Sequence, residues 1–311
     1  QQSNSLDESV LGSDYYANDV STHVANMKQS IIDQGAMDIS YYMNTSYWKD
    51  TSSTGSNYYQ NHYTNVEKAV AAANHCVTVV GWDDDYSASN FSSAPSGNGA
   101  WLIANSYGTS GDYSGDSGYF WLSYYEASIC DCYTMQAENT SNYDHIYQYD
   151  GFGWGDCVSS KTADIKEGNV FTASATSAQS IKAVSFYTIN DGQQYKIEVY
   201  RQVGASQNPT SGTLVSSCTT TGTETNNGYH TVTLNEPVSV AAGERFGIVV
   251  TYISPQDGTT TIYAPFEGTG DTEESYSIKY SSSSGQSYMY YDGSWFDTSV
   301  KTSLNVNGRS V

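Results

Sequence analysis

The first part of the chain carries one helical pattern followed by extended ones. Apolar residues recur at spacings of three and four over Asp19–Gln34, which predicts an amphipathic helix that Asp19 caps and Gly35 ends. Directly afterwards, Met37–Met43 alternates apolar and polar side chains, as in a half-buried strand. Residues 44–65 are polar and rich in turn-forming residues, and we expect them to form a long surface excursion.

Three more apolar segments complete the pattern of the first domain. They predict strands at Cys76–Trp82, Ala100–Ala104 and Gly118–Tyr125. One helix followed by a set of antiparallel strands indicates an α+β unit, which we assign to residues 1–140.

The pattern changes from about Asn142 onwards. Apolar and polar residues alternate, clusters of Gly, Asn, Pro and Ser separate the segments, and no helical period occurs. The predicted strands are Ser180–Ile189, Tyr195–Val203, Tyr229–Leu234 and Phe246–Tyr252. Short strands separated by turns predict an all-β sandwich of the jelly-roll type over residues 141–311.

Charge and hydropathy exclude two classes of partner. The chain has 12 Lys and Arg against 33 Asp and Glu, for a formal net charge of −21. Nucleic acid is therefore not expected as a partner, because phosphates are bound by clustered Lys and Arg. No apolar run approaches the roughly 18–20 residues of a membrane span. The polar first ten residues do not form a signal peptide, which is expected of a mature fragment.

The five cysteines, Cys76, Cys130, Cys132, Cys157 and Cys218, do not form paired C-x-x-C units. A structural zinc site is therefore not expected, and neither is another metal or cofactor.

Two segments carry candidate catalytic chemistry. His75 begins the apolar segment His75–Trp82, where an imidazole can face a cleft and exchange protons. Asn105 ends the strand Ala100–Ala104 before a Gly-bounded turn, where an amide can orient an imidazole. Taken alone, such a His is more often a buried structural residue and such an Asn a turn residue.

Together the two segments resemble the C-terminal half of the papain-family cysteine peptidases. The matching motifs are N-H-x-V-x-V-V-G-W-D at Asn74–Asp83 and G-x-W-L-x-x-N-S-Y-G at Gly99–Gly108, followed by G-Y-F-W from Gly118. The resemblance implies an α+β papain-like fold, an antiparallel β-barrel lobe with few helices. It also implies that His75 is the general base and that Asn105 orients it.

The resemblance extends to substrate binding and also shows departures. On the same alignment Ser40 lines the pocket for the second residue of the substrate. Tyr107 replaces the Trp whose ring shields the Asn–His hydrogen bond, and we assign it to the substrate-binding surface as well. Ala104 replaces a Lys, and an insertion through Gly111–Tyr113 replaces a second Trp-Gly pair.

The family's nucleophilic Cys has no counterpart, because none of the 74 residues before His75 is a cysteine. Cys76 follows His75 on a strand, so its side chain faces the other way. Cys130 and Cys132 lie beyond the last predicted strand of this domain, and Cys157 lies at the start of the second. None of these thiols is expected to act beside His75.

Two hypotheses account for the missing nucleophile. In the first, the chain is part of a papain-like endopeptidase that acts on a protein or peptide substrate, and the Cys lies in an N-terminal portion that is either missing from this sequence or cleaved off as a separate chain. In the second, the chain is a non-catalytic homologue that binds carbohydrate or a cell surface.

Residues 142–311 resemble the lectin-like domain of secreted or surface bacterial papain-family peptidases. That resemblance implies a secreted or cell-surface protein with a glycan as a further partner. Aromatic residues suited to stacking on sugars are Trp154, Tyr288, Tyr290, Tyr291 and Trp295, although residues at strand spacing are more often core. A calcium ion could bind Asp271, Glu273 and Glu274, but a solvated acidic loop is the alternative.

Overall fold

The computed structural model describes residues 2–5, 20–60, 66–149, 156–205, 207–266, 283–291, 293–299, 305–306 and 309–310. These residues fall into two compact units, Gln1–Glu138 and Asn139–Val311.

The first unit contains one long helix and a mainly antiparallel sheet. Its helices are α1 (Val20–Gln34) and the short α2 (Val66–Ala71). Its strands are β1 (Gln2–Ser5), β2 (Met37–Tyr41), β3 (Trp48–Thr51), β4 (Gly55–Tyr58), β5 (His75–Asp83), β6 (Ala100–Ala104), β7 (Tyr119–Ser123) and β8 (Cys130–Gln136). The predicted helix and the four predicted strands are therefore all present.

The strands of this unit lie in the order β1-β8-β2-β5-β6-β7-β4-β3, and only the pair β4–β7 is parallel. Helix α1 is followed by Gly35, which has a left-handed conformation with φ of 100°. The N–H of Gly35 donates to Ile31 O at 2.9 Å and so closes the last turn of the helix. The core between helix and sheet includes Val24, Met27, Met37, Ile39, Tyr41, Val77, Val79, Trp101, Ile103, Phe120 and Leu122. This is the papain-like half-barrel that the sequence predicts.

The prediction that residues 44–65 form a surface excursion is wrong for the part of this segment that the structure describes. Residues 48–58 form the β3–β4 hairpin, and Ser56, Asn57 and Gln60 are buried. These polar side chains are buried because their hydrogen-bonding groups have partners: Asn57 Nδ2 donates to Gly55 O at 2.8 Å, and Ser56 Oγ donates to Asp50 Oδ1 at 2.6 Å.

The first unit also has a strand that the sequence reading missed. Cys130 and Cys132, expected beyond the last strand, lie on β8, which pairs with β2. Their side chains and that of Thr134 are buried on alternate positions. Small, weakly polar residues thus form the buried face of this strand, which an apolar count does not detect.

The second unit is all-β, as predicted. Its strands are β9 (Asp156–Ser160), β10 (Ile165–Thr172), β11 (Gln179–Thr188), β12 (Gln193–Arg201), β13 (Thr213–Leu214), β14 (Thr220–Glu224), β15 (Gly228–Val240), β16 (Arg245–Tyr252), β17 (Ile262–Phe266), β18 (Ser287–Tyr291), β19 (Ser294–Asp297), β20 (Asn305–Val306) and β21 (Arg309–Ser310).

Apolar residues of β9–β12 and β15–β17 meet in one core, so the sheets face each other as in a sandwich. Strands β10, β12, β14, β16 and β18 belong to a larger sheet, whereas β11 pairs with β15 and β9 with β17. The four predicted strands correspond to β11, β12, β15 and β16, and the other described strands of this unit were not predicted.

Candidate active site

His75 is the first residue of β5. Its side chain is 7 % exposed, and the alternation along the strand also buries Val77 and Val79. Cys76, which lies between His75 and Val77, is exposed. The strand geometry therefore directs the Cys76 thiol away from the imidazole, as the sequence predicts.

Asn105 directly follows β6, the strand that pairs with β5, and it reaches His75. Its Oδ1 lies 2.8 Å from Nε2 of His75. Asn105 Nδ2 donates to Tyr113 O at 2.8 Å and to Ser114 O at 3.3 Å, so Oδ1 is the atom that faces the imidazole. Nε2 of His75 therefore carries the proton and donates a hydrogen bond to Oδ1. Nδ1 is the unprotonated nitrogen, and no hydrogen bond from a described residue reaches it.

Two aromatic rings enclose the imidazole. The ring of Tyr107 lies 4.3 Å from that of His75, tilted by 36°, and Tyr107 is 50 % exposed. The fully buried ring of Tyr41, which pairs with His75 across β2 and β5, contacts it edge-on at 5.6 Å. The rings restrict the orientation of the imidazole and limit the access of water to its hydrogen bond.

Burial lowers the pKa of His75 below its ordinary value of 6.5, and the hydrogen bond with Asn105 opposes this shift. We expect NMR titration of the intact chain to give a pKa below 6.5. Asn105→Ala should lower it further, because the group that raises the pKa is removed. A pKa at or above 6.5, or one unchanged by Asn105→Ala, would contradict this electrostatic description.

The same shift has a consequence for stability. Folded His75 binds a proton more weakly than His75 in the unfolded chain, so its contribution to stability is lost as pH falls below 6.5 and through the folded pKa.

The structure places Ser40 beside Cys76 rather than against the imidazole. Ser40 and Cys76 are cross-strand partners on β2 and β5, whereas Tyr41 is the partner of His75. Ser40 is half-buried on the same face as the exposed Cys76. A substrate-binding role for Ser40 and for Tyr107 stays a prediction.

A cavity of about 780 Å³ lies outside the site formed by His75 and Asn105. It is lined by residues 50–56 of the β3–β4 hairpin and by Tyr113, Tyr119 and Trp121, but not by His75 or Asn105.

In the described part of the chain, no group of three or more His, Cys, Asp or Glu side chains is arranged to hold a metal ion. The calcium candidates Asp271, Glu273 and Glu274 lie outside the described residues, as does Trp154. The described helices include none that is long and apolar enough to cross a membrane.

The aromatic candidates of the second unit are mainly packed. Tyr288 is buried and its hydroxyl donates to Gln207 O at 3.1 Å. The rings of Tyr290 and Trp295 contact each other at 5.3 Å, and Trp295 Nε1 donates to Thr210 Oγ1 at 3.0 Å. The side chain of Tyr291 is outside the described part.

Sequence reasoning missed three residues that support the site. Tyr41 lies inside the predicted strand Met37–Met43 and Tyr113 inside the insertion, and the sequence pattern predicts no part in the site for either. Glu126 is fully buried, and its carboxylate accepts hydrogen bonds from Gln60 N at 2.9 Å and from Ser128 N at 3.1 Å. Ser128 Oγ in turn accepts from Tyr42 N at 2.9 Å, next to Tyr41.

Family comparisons divide the chain in two. The model of the papain family cysteine protease matches residues 2–140, and that of the lectin like domain matches residues 146–307. No curated protein matches the chain.

Two solved structures are similar over most of the chain. One is the clostridial cysteine protease Cwp84 after propeptide cleavage, with 24 % identity and a TM-score of 0.70, covering 96 % of this chain and 66 % of that one. The other contains the cysteine protease and lectin-like domains of Cwp84, a surface layer associated protein of Clostridium difficile. It is 26 % identical with a TM-score of 0.66, and the match covers 87 % of this chain and 56 % of that one. The chain thus spans less than two thirds of either structure's length.

Proposed function

We propose that the chain supplies the catalytic His and Asn of a cysteine-type endopeptidase. It belongs to the lectin-like domain family through residues 146–307, and its residues 2–140 match the model of the papain family of cysteine proteases. The observation that carries this proposal is the 2.8 Å contact between His75 Nε2 and Asn105 Oδ1. It fixes the tautomer in which Nδ1 accepts a proton.

The proposed reaction uses that nitrogen twice. Nδ1 of His75 takes the proton of a cysteine thiol, and the thiolate attacks the peptide carbonyl carbon. The imidazolium then gives the proton to the leaving amine, which breaks the C–N bond and leaves a thioester. Finally, the imidazole takes a proton from water, and the hydroxide oxygen attacks the carbonyl carbon of the thioester. The C–S bond breaks and the carboxylic acid leaves, and the imidazolium returns its proton to the sulfur, which restores the thiol. Throughout, Asn105 holds the ring and its Nε2 proton.

The thiol belongs, in this proposal, to a Cys-bearing lobe outside the 311 residues. Cys76 is exposed on the other face of β5, and Cys130 and Cys132 are buried in β8. Cys157 and Cys218 belong to the second unit. The partners are accordingly this Cys-bearing chain and a protein or peptide substrate.

We propose a secreted or cell-surface location, which the similarity to a surface layer associated protein supports. The lectin-like unit is proposed to bind glycan. Tyr149, whose ring stacks on Phe171 at 4.8 Å and is 36 % exposed, offers an aromatic face of the kind that sugars stack on.

Labelling with an epoxide inhibitor tests the peptidase proposal. Partial desolvation by the surrounding protein and the charge of Asp38 raise the pKa of the Cys76 thiol, and burial raises the pKa of Cys218, so fewer of these thiols are ionised at neutral pH. We therefore expect the chain alone to show no fast-reacting thiol, whereas a polypeptide that co-purifies with the native protein is labelled at one cysteine. Intact mass and N-terminal sequencing identify the labelled polypeptide.

Fast labelling of the chain alone, abolished by Cys76→Ser or Cys157→Ser, would overturn this proposal. Absence of labelling in every native and full-length form would instead support a non-catalytic binding protein.

A further inference from the structure

We infer that the turn of residues 111–114 positions the side chain of Asn105, mainly through Tyr113, and that Asn105 in turn orients His75. This inference rests on the proposed function, because it concerns how the catalytic His is held. It gives a role to the insertion that distinguishes this chain from the papain-family pattern.

The first step concerns the two backbone oxygens that accept hydrogen bonds from the amide of Asn105. Asn105 Nδ2 donates to the backbone oxygens of Tyr113 and Ser114, at 2.8 and 3.3 Å. An amide rotated by half a turn would present Nδ2 to the Nε2 proton of His75 and Oδ1 to these two carbonyl oxygens. Each contact would then join like groups. The two carbonyl oxygens, together with the backbone N–H of Ser106, which donates to Oδ1 at 2.8 Å, therefore select the orientation in which Oδ1 faces the imidazole.

The second step is what directs those carbonyl groups. Tyr113 has a left-handed backbone with φ of 60°, a conformation that few residues other than glycine adopt. The buried Ser114 closes the turn, because its Oγ donates to Gly111 O at 2.8 Å. A change of backbone conformation at Tyr113 would therefore move the oxygen that Asn105 uses.

The third step is what holds this unfavourable conformation in place. The ring of Tyr113 packs edge-on against Trp48 of β3, at 5.9 Å and 90°. Trp48 in turn contacts the fully buried Phe120 at 5.0 Å. The turn is thus attached to the core of the unit, and the orientation of Asn105 is set before substrate arrives.

The experiment compares two substitutions at Tyr113 in the full chain. Valine is β-branched and disfavours positive φ, so Tyr113→Val should displace the carbonyl oxygen. Asparagine tolerates positive φ, so Tyr113→Asn removes the ring but keeps the backbone. The ¹⁵N shifts of Nδ1 and Nε2 report the tautomer of His75 directly, and this measurement requires no peptidase activity. It therefore remains informative if the proposed function fails.

We expect His75 to be the Nε2–H tautomer in the wild type. In Tyr113→Asn, which loses the ring contact with Trp48 but tolerates the backbone conformation, the ratio of the Nε2–H to the Nδ1–H tautomer should fall less than in Tyr113→Val. In Tyr113→Val, the ratio of the Nε2–H to the Nδ1–H tautomer should fall by about tenfold, as expected for the loss of one oriented hydrogen bond. An unchanged ratio in a folded Tyr113→Val variant would overturn the inference. An equal fall in both variants would also overturn it, because the backbone conformation of residue 113 would then not decide the orientation of Asn105.

Ser114→Ala keeps the inference testable if Tyr113→Val does not fold, as judged by near-UV circular dichroism. It removes the hydroxyl that donates to Gly111 O at 2.8 Å and that also lies 3.5 Å from Gly115 O. The tautomer ratio should shift in the same direction as in Tyr113→Val, and an unchanged ratio would overturn the inference.

Discussion

His75→Ala should lower kcat/KM of the assembled peptidase by at least about a thousandfold, or roughly 4 kcal/mol of transition-state stabilisation. The substitution removes the group that activates the thiol and protonates the leaving amine. Asn105→Ala should cost less, about tenfold to a hundredfold, because the imidazole remains but its orientation and tautomer are no longer fixed. Both values follow from initial rates of peptide hydrolysis.

His145→Ala is the matched control, since this exposed His lies in the second unit. It should leave the rate unchanged. A His75→Ala enzyme with more than a tenth of the wild-type kcat/KM would exclude His75 as the general base.

Glu126→Ala should destabilise the first unit by about 3 kcal/mol. The carboxylate is fully buried and accepts from the backbone N–H groups of Gln60 and Ser128 and from Ser128 Oγ at 2.8 Å. Its removal leaves two buried backbone donors without this acceptor and opens a cavity. Urea unfolding, followed by a probe in the first unit, measures the change.

Glu138→Ala is the control for this substitution, because Glu138 is an exposed carboxylate in the same unit. It should change the free energy of unfolding by less than about 0.5 kcal/mol. If the two variants were equally stable, Glu126 would not have the structural role assigned to it.

The strands that carry the site were predictable because their apolar periodicity is strong. The first six residues of β5 alternate buried and less buried positions, and β6 is an unbroken apolar segment. His75 begins β5, and Asn105 directly follows β6. β8 and the β3–β4 hairpin were not predictable in this way. Their buried positions are held by Cys132, Thr134 and Asn57, which depend on hydrogen bonds and neighbouring strands that a local pattern does not contain.

The candidate site was predictable to a similar extent. The motifs named His75 and Asn105, and the structure brings their side chains together. The contribution of Tyr113 was not predictable, because it depends on a backbone oxygen and a positive φ rather than on a side-chain type. The contact between Tyr41 and His75 was not predictable either, because it depends on the register between β2 and β5.

The central claim is that His75 and Asn105 are the catalytic pair of a peptidase whose thiol lies outside this chain. The most direct test is peptide hydrolysis by the chain alone, and by the chain mixed with a Cys-bearing N-terminal papain-family lobe. We predict no hydrolysis by the chain alone, activity in the mixture, and no activity when the chain carries His75→Ala. Hydrolysis by the chain alone that is lost on mutating Cys76, Cys130, Cys132 or Cys157 would contradict the claim.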